Sequence, residues 1–266
     1  MNMYLHELKS LRKTTIIWTC ALIALAAIYF AVYPGIVNDA ADFKKLLGGY
    51  PASVRAALGI SLDNITSLLG FYSMIFTFIT LCGSIQAMNL GVSILSKETR
   101  ERTADFLLVK PVSRSAIVSS KLLAALTMLL ATDVLYYAVA FILASMVKTA
   151  DYSNKLFFMV NATLLFIQLI FLSLGVVTSV LISKLKSVLP VSLGIVFGFF
   201  FIGVLIATGK NDGTRFFSPF KYFDTSYILN NSSYEAPYLI AGAVIVIAAI
   251  AASYIIYMKK DIHAVS

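Results

Sequence analysis

The sequence predicts an all-α, polytopic membrane protein with six transmembrane helices. Of its 266 residues, 59% are hydrophobic and only 13% are charged, and the mean hydropathy is +0.87. A soluble domain of this length carries about a quarter of its residues as charges. Six stretches of about 19 to 27 residues lack Lys, Arg, Glu and His, and each is long enough to cross a hydrocarbon core of about 30 Å as a helix.

The predicted spans divide a single transmembrane domain, residues 1–266, into six helices and their connections. They are Thr15–Tyr33, Phe71–Ile94, Leu122–Val147, Leu156–Ile182, Val188–Ala207 and Ala236–Met258. The first has a longer apolar core than a signal peptide, so we interpret it as a retained span. Cys20 and Cys82 lie in apolar runs and the two histidines lie at opposite ends of the chain, so the sequence predicts no metal site.

The basic residues predict the orientation of the chain. With the N-terminus inside the cell, thirteen of the 21 Lys and Arg residues fall on the cytoplasmic side. Basic residues concentrate in the cytoplasmic segments of membrane proteins, so we expect both termini to be cytoplasmic. The basic balance then indicates topology and contact with anionic membrane lipids, and not nucleic-acid binding.

The segments outside the spans carry their own patterns. In residues 1–13, Met3, Tyr4, Leu8 and Leu11 share one helical face and Glu7, Lys9 and Arg12 lie on the other, which predicts an N-terminal amphipathic helix on the inner membrane surface. The outer segments 34–70 and 208–235 are too long for simple connectors. We expect short helices in the first. In the second we expect aromatic residues at headgroup depth, namely Phe216, Phe217, Phe220, Tyr222 and Phe223.

The inner loop between spans two and three, residues 98–121, is the most distinctive segment. It predicts a short cytoplasmic helix with an apolar tip at Phe106–Leu108, ended by Pro111, and a second helix capped by Ser113 that continues into span three. Glu98 and Arg102 are spaced to attract each other on a helix, whereas Glu101 and Asp105 repel mildly. The residues alone allow either a solvated loop or a docking element for a cytoplasmic partner.

The loop string E-x4-T-x-D-F-L-L-x-x-P-V-S-R-x-x-I-V-x-x-K resembles the cytoplasmic loop of type-2 (ABC-2) ABC exporter permease subunits. The matching positions are Glu98, Thr103, Phe106, Leu107, Leu108, Pro111, Val112, Ser113, Arg114, Ile117, Val118 and Lys121. The stretch Ser218–Asp224, "SPFKYFD", is similar to the last outer loop of that family. The family usually has Gly just before the Thr, where this chain has Arg102.

The resemblance implies a permease subunit that moves substrate, such as a peptide, drug or lipid, out of the cell across a bacterial plasma membrane. It implies pairing with a second permease subunit, as a homodimer or heterodimer, and with two copies of a cytoplasmic ATP-binding subunit. ATP and magnesium would bind that subunit, and this chain would be neither an enzyme nor a cofactor carrier. In agreement, the chain contains no phosphate loop of the form G-x-x-x-x-G-K-[ST].

The resemblance also assigns the loop as the coupling helix, which inserts into a groove of the ATP-binding subunit. The residues expected at that interface are Glu98, Glu101, Thr103, Asp105, Phe106, Leu107, Leu108, Pro111 and Arg114. Phe106, Leu107 and Leu108 would form its apolar plug.

Asp133 is the single acidic residue inside a predicted span. A charge at that depth costs about 2.5–3.5 kcal/mol on insertion scales, so the carboxyl either contacts substrate along a pathway or is hydrogen-bonded to a packing partner such as Asn161 or Gln168. Gln86 and Asn89 of span two are further candidates to line a pathway. Gly194 and Gly198 form a G-x-x-x-G motif that allows close contact with another helix.

Three other functions are alternatives to that of an ABC permease. An intramembrane enzyme needs several ionisable groups that converge within the membrane, whereas Asp133 stands alone. An ATP-independent secondary transporter or channel would leave the loop motif without a purpose. A membrane subunit of an ABC complex that itself moves nothing is the third alternative.

Overall fold

The computed structural model describes residues 3–60, 62, 64–100, 113–182, 185–209 and 212–259. Six long helices dominate this part of the chain and confirm the all-α, six-span prediction. They are α1 (Met3–Asn38), α4 (Leu68–Arg100), α5 (Arg114–Val147), α6 (Asn154–Leu181), α7 (Val188–Thr208) and α9 (Ala236–Lys259). The shorter helices are α2 (Ala40–Gly48), α3 (Ala52–Ala57) and α8 (Thr225–Asn231), with 3-10 turns at Asp212–Phe217 and Pro219–Lys221.

The first helix differs from the prediction. Residues 3–13 do not form a helix of their own but are the first turns of α1, which runs without interruption for 36 residues. The physical reason is that no Gly or Pro stands between Met3 and Pro34 to end it. Glu7 was placed on the polar face, yet it is buried together with Thr19, Leu22, Ala26 and Phe30, which follow at helical spacing.

Helices α4 and α6 form the centre of the bundle. In the most apolar 18-residue segment of α4 and of α6, 67% and 61% of the residues are buried. The corresponding share is 17% in α7 and in α9. The close approach of α4 and α6 depends on glycine. A Cβ on Gly91 would lie 2.3 Å from the carbonyl oxygen of Leu172, and one on Gly175 would lie 2.7 Å from that of Met88. The remaining long helices pack around this pair, α1 against α5, α7 against α4, and α9 against α6.

The bundle has two distinct ends. The first turns of α1, the end of α4, the start of α5 and the end of α9 meet at one end, which we call the terminal side. The opposite end, which we call the loop side, carries α2, α3, α8 and the 3-10 turns. Helices α2 and α3 are the short helices predicted in the first long outer segment, residues 34–70. The aromatic residues of the second segment do not all lie at its surface: Tyr222 and Phe223 are buried among the helices, while Phe216 and Phe217 are exposed.

Candidate functional site

Most of the predicted coupling element lies outside the described residues. This applies to Glu101, Thr103, Asp105, Phe106, Leu107, Leu108 and Pro111. Glu98 lies in the last turn of α4, and Arg114 is the first residue of α5. The predicted cap is confirmed, because the Ser113 side chain accepts a hydrogen bond from the backbone N–H of Ala116 at 3.2 Å. The two helix ends that flank residues 101–112 are therefore defined.

A buried ion pair fixes both of these flanks to the first helix. The Lys121 Nζ lies 3.3 Å from Glu7 Oε1, and the two side chains are only 1% and 9% exposed. The same ammonium donates a hydrogen bond of 2.7 Å to the carbonyl oxygen of Ile94, near the end of α4. One side chain of α5 thus connects α1 and α4. Sequence reasoning noted Lys121 only as a motif residue, because its partner is 114 positions away.

Weaker contacts extend this arrangement to the last helix. The Lys97 ammonium donates to the Ser10 hydroxyl at 2.6 Å, which adds a second link between α4 and α1. The Arg114 guanidinium donates to the carbonyl oxygen of Met258 at 3.4 Å. The hydroxyls of Ser119 and Tyr254 lie 2.7 Å apart. The start of α5 is therefore attached to α9 as well as to α1.

Polar side chains at mid-depth join four helices. Asp133 meets Gln168, one of its two predicted partners: with the Gln168 amide oriented to donate, its nitrogen lies 3.0 Å from both carboxylate oxygens. The Gln86 amide donates a hydrogen bond of 3.0 Å to the Thr132 hydroxyl. The Thr132 hydroxyl also lies 3.0 Å from the Thr19 hydroxyl. Asp133 is half-buried and Gln168 is fully buried. The cluster packs the bundle at this level, and Asn89 of α4 is half-buried beyond it.

Asn161, the other partner predicted for Asp133, belongs to a separate cluster nearer the loop side. Its Oδ1 accepts a hydrogen bond from the Tyr72 hydroxyl at 2.8 Å, and that hydroxyl also lies 2.8 Å from the Tyr136 hydroxyl. All three side chains are buried. This cluster connects α4, α5 and α6, and sequence reasoning missed Tyr72 and Tyr136 because tyrosine is common in apolar spans.

Gly194 and Gly198 make no close approach to the part of the chain that the structure describes. A Cβ on either residue would have no neighbour there within 4 Å. Gly91 and Gly175 do allow close helix contact, and they lie on two different helices without the G-x-x-x-G spacing. The predicted close contact of Gly194 and Gly198 with another helix therefore stays a prediction.

The loop side contains a cavity of about 90 Å³ that opens to solvent. It lies between α4, α6 and α7 beneath the loop that contains "SPFKYFD". The Ser218 hydroxyl donates to the carbonyl oxygen of Phe199 at 2.8 Å, and Gly203 allows this approach, since a Cβ there would lie 2.9 Å from that hydroxyl oxygen. The loop is thus inserted into the bundle and roofs the cavity.

Charged groups of the loop have separate roles around this cavity. Arg215 is held by both carboxylate oxygens of Glu235 and by the carbonyl oxygen of Lys221, with its guanidinium 4.2 Å from the centre of the Tyr238 ring. Lys221 and Asp224 also line the cavity. Burial lowers the pKa of Lys221, the Asp224 carboxylate opposes this effect, and the Arg215 charge adds to it. Within the described ranges, no three His, Cys, Asp or Glu side chains lie close enough to hold a metal ion.

Comparison with known families agrees with the loop motif. Residues 1–262 match the family model described as "ABC-2 family transporter protein". No curated protein matches the chain at a significant level. The family supplies the membrane component of ABC transporters, which work with an ATP-binding partner, and the six apolar helices fit that role. The chain therefore belongs to the ABC-2 family of transporters, as a multi-pass membrane permease.

Proposed function

We propose that this chain is the permease subunit of an ABC exporter, and that it moves an amphipathic substrate outward with energy from ATP hydrolysed by two copies of a separate cytoplasmic subunit. A second permease subunit completes the complex, and the terminal side of the bundle faces the cytoplasm of a bacterial cell. ATP and magnesium bind the partner. Family membership over residues 1–262 supports this proposal.

The observation that carries the coupling role is the attachment of the two flanks of residues 101–112. A segment that transmits force has to act on the helices without deforming its own base. Lys121 links the start of α5 to α1 and α4 within the buried part of the bundle, and Arg114 reaches the end of α9. A displacement applied to residues 101–112 would therefore reach four helices together.

The first experiment tests Leu107→Asp in the complex purified with its ATP-binding subunit. A carboxylate in the apolar plug has to be desolvated in the partner's groove, so we expect loss of transport-stimulated ATP hydrolysis with normal membrane insertion. Ser187→Asp is the matched control, since it adds the same charge to an exposed site just before α7 on the same side of the bundle. Unchanged stimulation in Leu107→Asp would refute the coupling role of this plug. Absence of stimulation in the unaltered complex would favour an ATP-independent transporter or a subunit that moves nothing.

A second experiment tests the orientation. Single cysteines at Ser187 and Asn230, both exposed and on opposite sides of the bundle, are treated in intact cells with a maleimide that cannot cross the membrane. We expect rapid labelling at Asn230 and labelling at Ser187 only after the cells are opened. The reverse pattern would invert the proposed topology.

A further inference from the structure

The short helix α2 exposes apolar side chains next to its buried face. Leu47 is buried and Phe43 packs against the core, whereas Leu46 is 62% exposed. Tyr50 stands four residues later and is 49% exposed. Because Gly49 keeps helical backbone angles, with φ at −69° and ψ at −20°, Tyr50 continues the turn that carries Leu46. These two residues therefore form an exposed apolar strip at the end of α2.

The residues around the axis of α2 divide into an apolar arc and a polar remainder. Successive residues of an α-helix are about 100° apart, so Leu47 lies about 40° from Phe43 on one side and Leu46 about 60° from it on the other. Lys44 and Lys45 lie outside this arc, at about 100° and 200° from Phe43. Each of the six long helices is far less amphipathic than α2. This pattern is typical of helices that lie in the plane of a membrane surface.

Both ends of the segment that contains α2 are attached to the ends of membrane spans. At its start, the Asp39 N–H donates to the Gly35 carbonyl oxygen at 3.1 Å, and the Phe43 N–H donates to the Asp39 carbonyl oxygen at 3.0 Å. Helix α2 therefore follows the last turn of α1 without a loop. At the other end of the segment, α3 packs against α7. These attachments hold α2 at the level where the spans end, which in a bilayer is the boundary between acyl chains and headgroups.

The position and the size of the strip favour lipid as the group that covers it. Ile28 and Val32 of α1 are 64% and 52% exposed and contact lipid in a membrane-spanning helix, and α2 begins about two turns beyond Val32. Leu46, Tyr50 and the exposed Val54 of α3 supply on the order of 300 Å² of surface, whereas a stable protein interface buries about 800 Å² on each partner. Tyrosine is also enriched at headgroup level.

We propose that the last turn of α2 inserts into the lipid leaflet on the loop side, with Leu46 among the upper acyl chains and Tyr50 at the headgroups. The ammonium groups of Lys44 and Lys45 extend to the lipid phosphates, as lysine side chains do at membrane surfaces. Asp42 is exposed one turn before Leu46 on the same side, which restricts the insertion to the end of the helix. The contact needs neither ATP nor a partner subunit, so its failure would leave the proposed transport function unaffected.

The test measures which medium surrounds a probe on α2. Leu46→Cys and Ala41→Cys are made separately in the full chain with Cys20 and Cys82 replaced by Ser, labelled with bimane and placed in nanodiscs of phosphatidylcholine and phosphatidylglycerol. Ala41 is the matched control, since it is also exposed and lies about 140° around the helix from Leu46. We expect lipids with a doxyl group near the start of the acyl chain to quench the Leu46→Cys probe. Iodide in the buffer should quench the Ala41→Cys probe severalfold more strongly than the Leu46→Cys probe.

Further variants test the inserted side chain and the lysines. With the probe moved to Tyr50→Cys, Leu46→Asp should open it to iodide, because the loss of a buried leucine shifts the insertion equilibrium about tenfold or more. Ala41→Asp adds the same charge on the water side of α2 and should have no effect. Removal of phosphatidylglycerol should weaken the doxyl quenching of Leu46→Cys, since fewer anionic headgroups then attract the lysines. Lys44→Gln/Lys45→Gln should abolish this dependence on lipid charge.

Several outcomes would overturn the proposal. Equal iodide quenching of the Leu46→Cys and Ala41→Cys probes, without doxyl quenching, would place the end of α2 in water. Protection of the Leu46→Cys probe from both quenchers would show that protein covers it, and a disulfide between Leu46→Cys residues of two unlabelled copies would then assign that protein to a second subunit. An unaltered Tyr50→Cys signal in Leu46→Asp would contradict the insertion, and doxyl quenching that ignores lipid charge would contradict the lysine contact.

Discussion

The ion pair between Glu7 and Lys121 makes the most direct prediction about the energetics of the bundle. Substituting Lys121 by Met leaves a buried carboxylate without its cation, and substituting Glu7 by Leu leaves a buried ammonium without its anion. Removal of one partner from a buried pair costs about 3–5 kcal/mol, whereas replacement of both by apolar residues is often close to neutral. The side chains of both partners are buried, 1% and 9% exposed, so these values apply to this pair.

The assay is a double-mutant cycle. Each protein is unfolded reversibly by sodium dodecyl sulfate in mixed micelles, and helicity is followed by circular dichroism. We expect each single variant to lose at least about 3 kcal/mol, which is more than 100-fold in the unfolding constant. The double variant Glu7→Leu/Lys121→Met should recover most of that loss, less about 1 kcal/mol for the hydrogen bond to Ile94.

Lys97→Met serves as the matched control, because it removes another lysine from the terminal side. Its ammonium contacts the Ser10 hydroxyl near the surface, so the loss should stay below about 1 kcal/mol. Additive losses in the cycle, or single-variant losses under about 1 kcal/mol, would refute the reasoning that this pair is buried and coupled.

Substitutions at Gly91, Asp133 and Tyr72, with matched controls, test the interior. Gly91→Ala places a Cβ against the backbone of α6 and should cost about 1–3 kcal/mol in the same unfolding assay. Gly194→Ala, whose added Cβ meets none of the described residues, should be neutral or stabilising by up to about 1 kcal/mol. Asp133→Leu leaves the buried Gln168 amide without its partner, so it should lower the yield of folded protein before it alters transport. Asp133→Asn should keep both the normal yield and normal transport. Lost transport at normal yield would instead place Asp133 on the substrate pathway. Tyr72→Phe removes two buried hydrogen bonds and should lower the free energy of unfolding by about 1 kcal/mol. An unaltered unfolding midpoint would contradict this expectation.

The number and position of the spans could be predicted because hydropathy is a local property. The Ser113 cap was predictable for the same reason, since it needs only a hydroxyl three residues before a free backbone N–H. Which of the helices would be most buried within the bundle was not predictable. The most apolar segments of α7 and α9 are more hydrophobic than that of α4, yet the segment in α4 is the most buried of the six. Hydropathy does not decide burial here because lipid is as apolar as a protein core.

The candidate sites depended more strongly on long-range pairing. Glu7 looked like a surface residue since nothing in residues 1–13 indicates that Lys121 will meet it. The G-x-x-x-G spacing pointed to Gly194, whereas the contact within the chain uses Gly91 and Gly175, one from each of two helices.

The glycine contact between α4 and α6 restricts how such a permease could cycle between conformations. Where backbone meets backbone, no side chain can change rotamer to let one helix slide along the other. The two helices then have to move as one rigid unit, with the rotation taken up at the looser boundaries with α1, α7 and α9. A crosslink between α4 and α6 beside Gly91 should therefore leave the cycle running, whereas one between α4 and α7 should stop it.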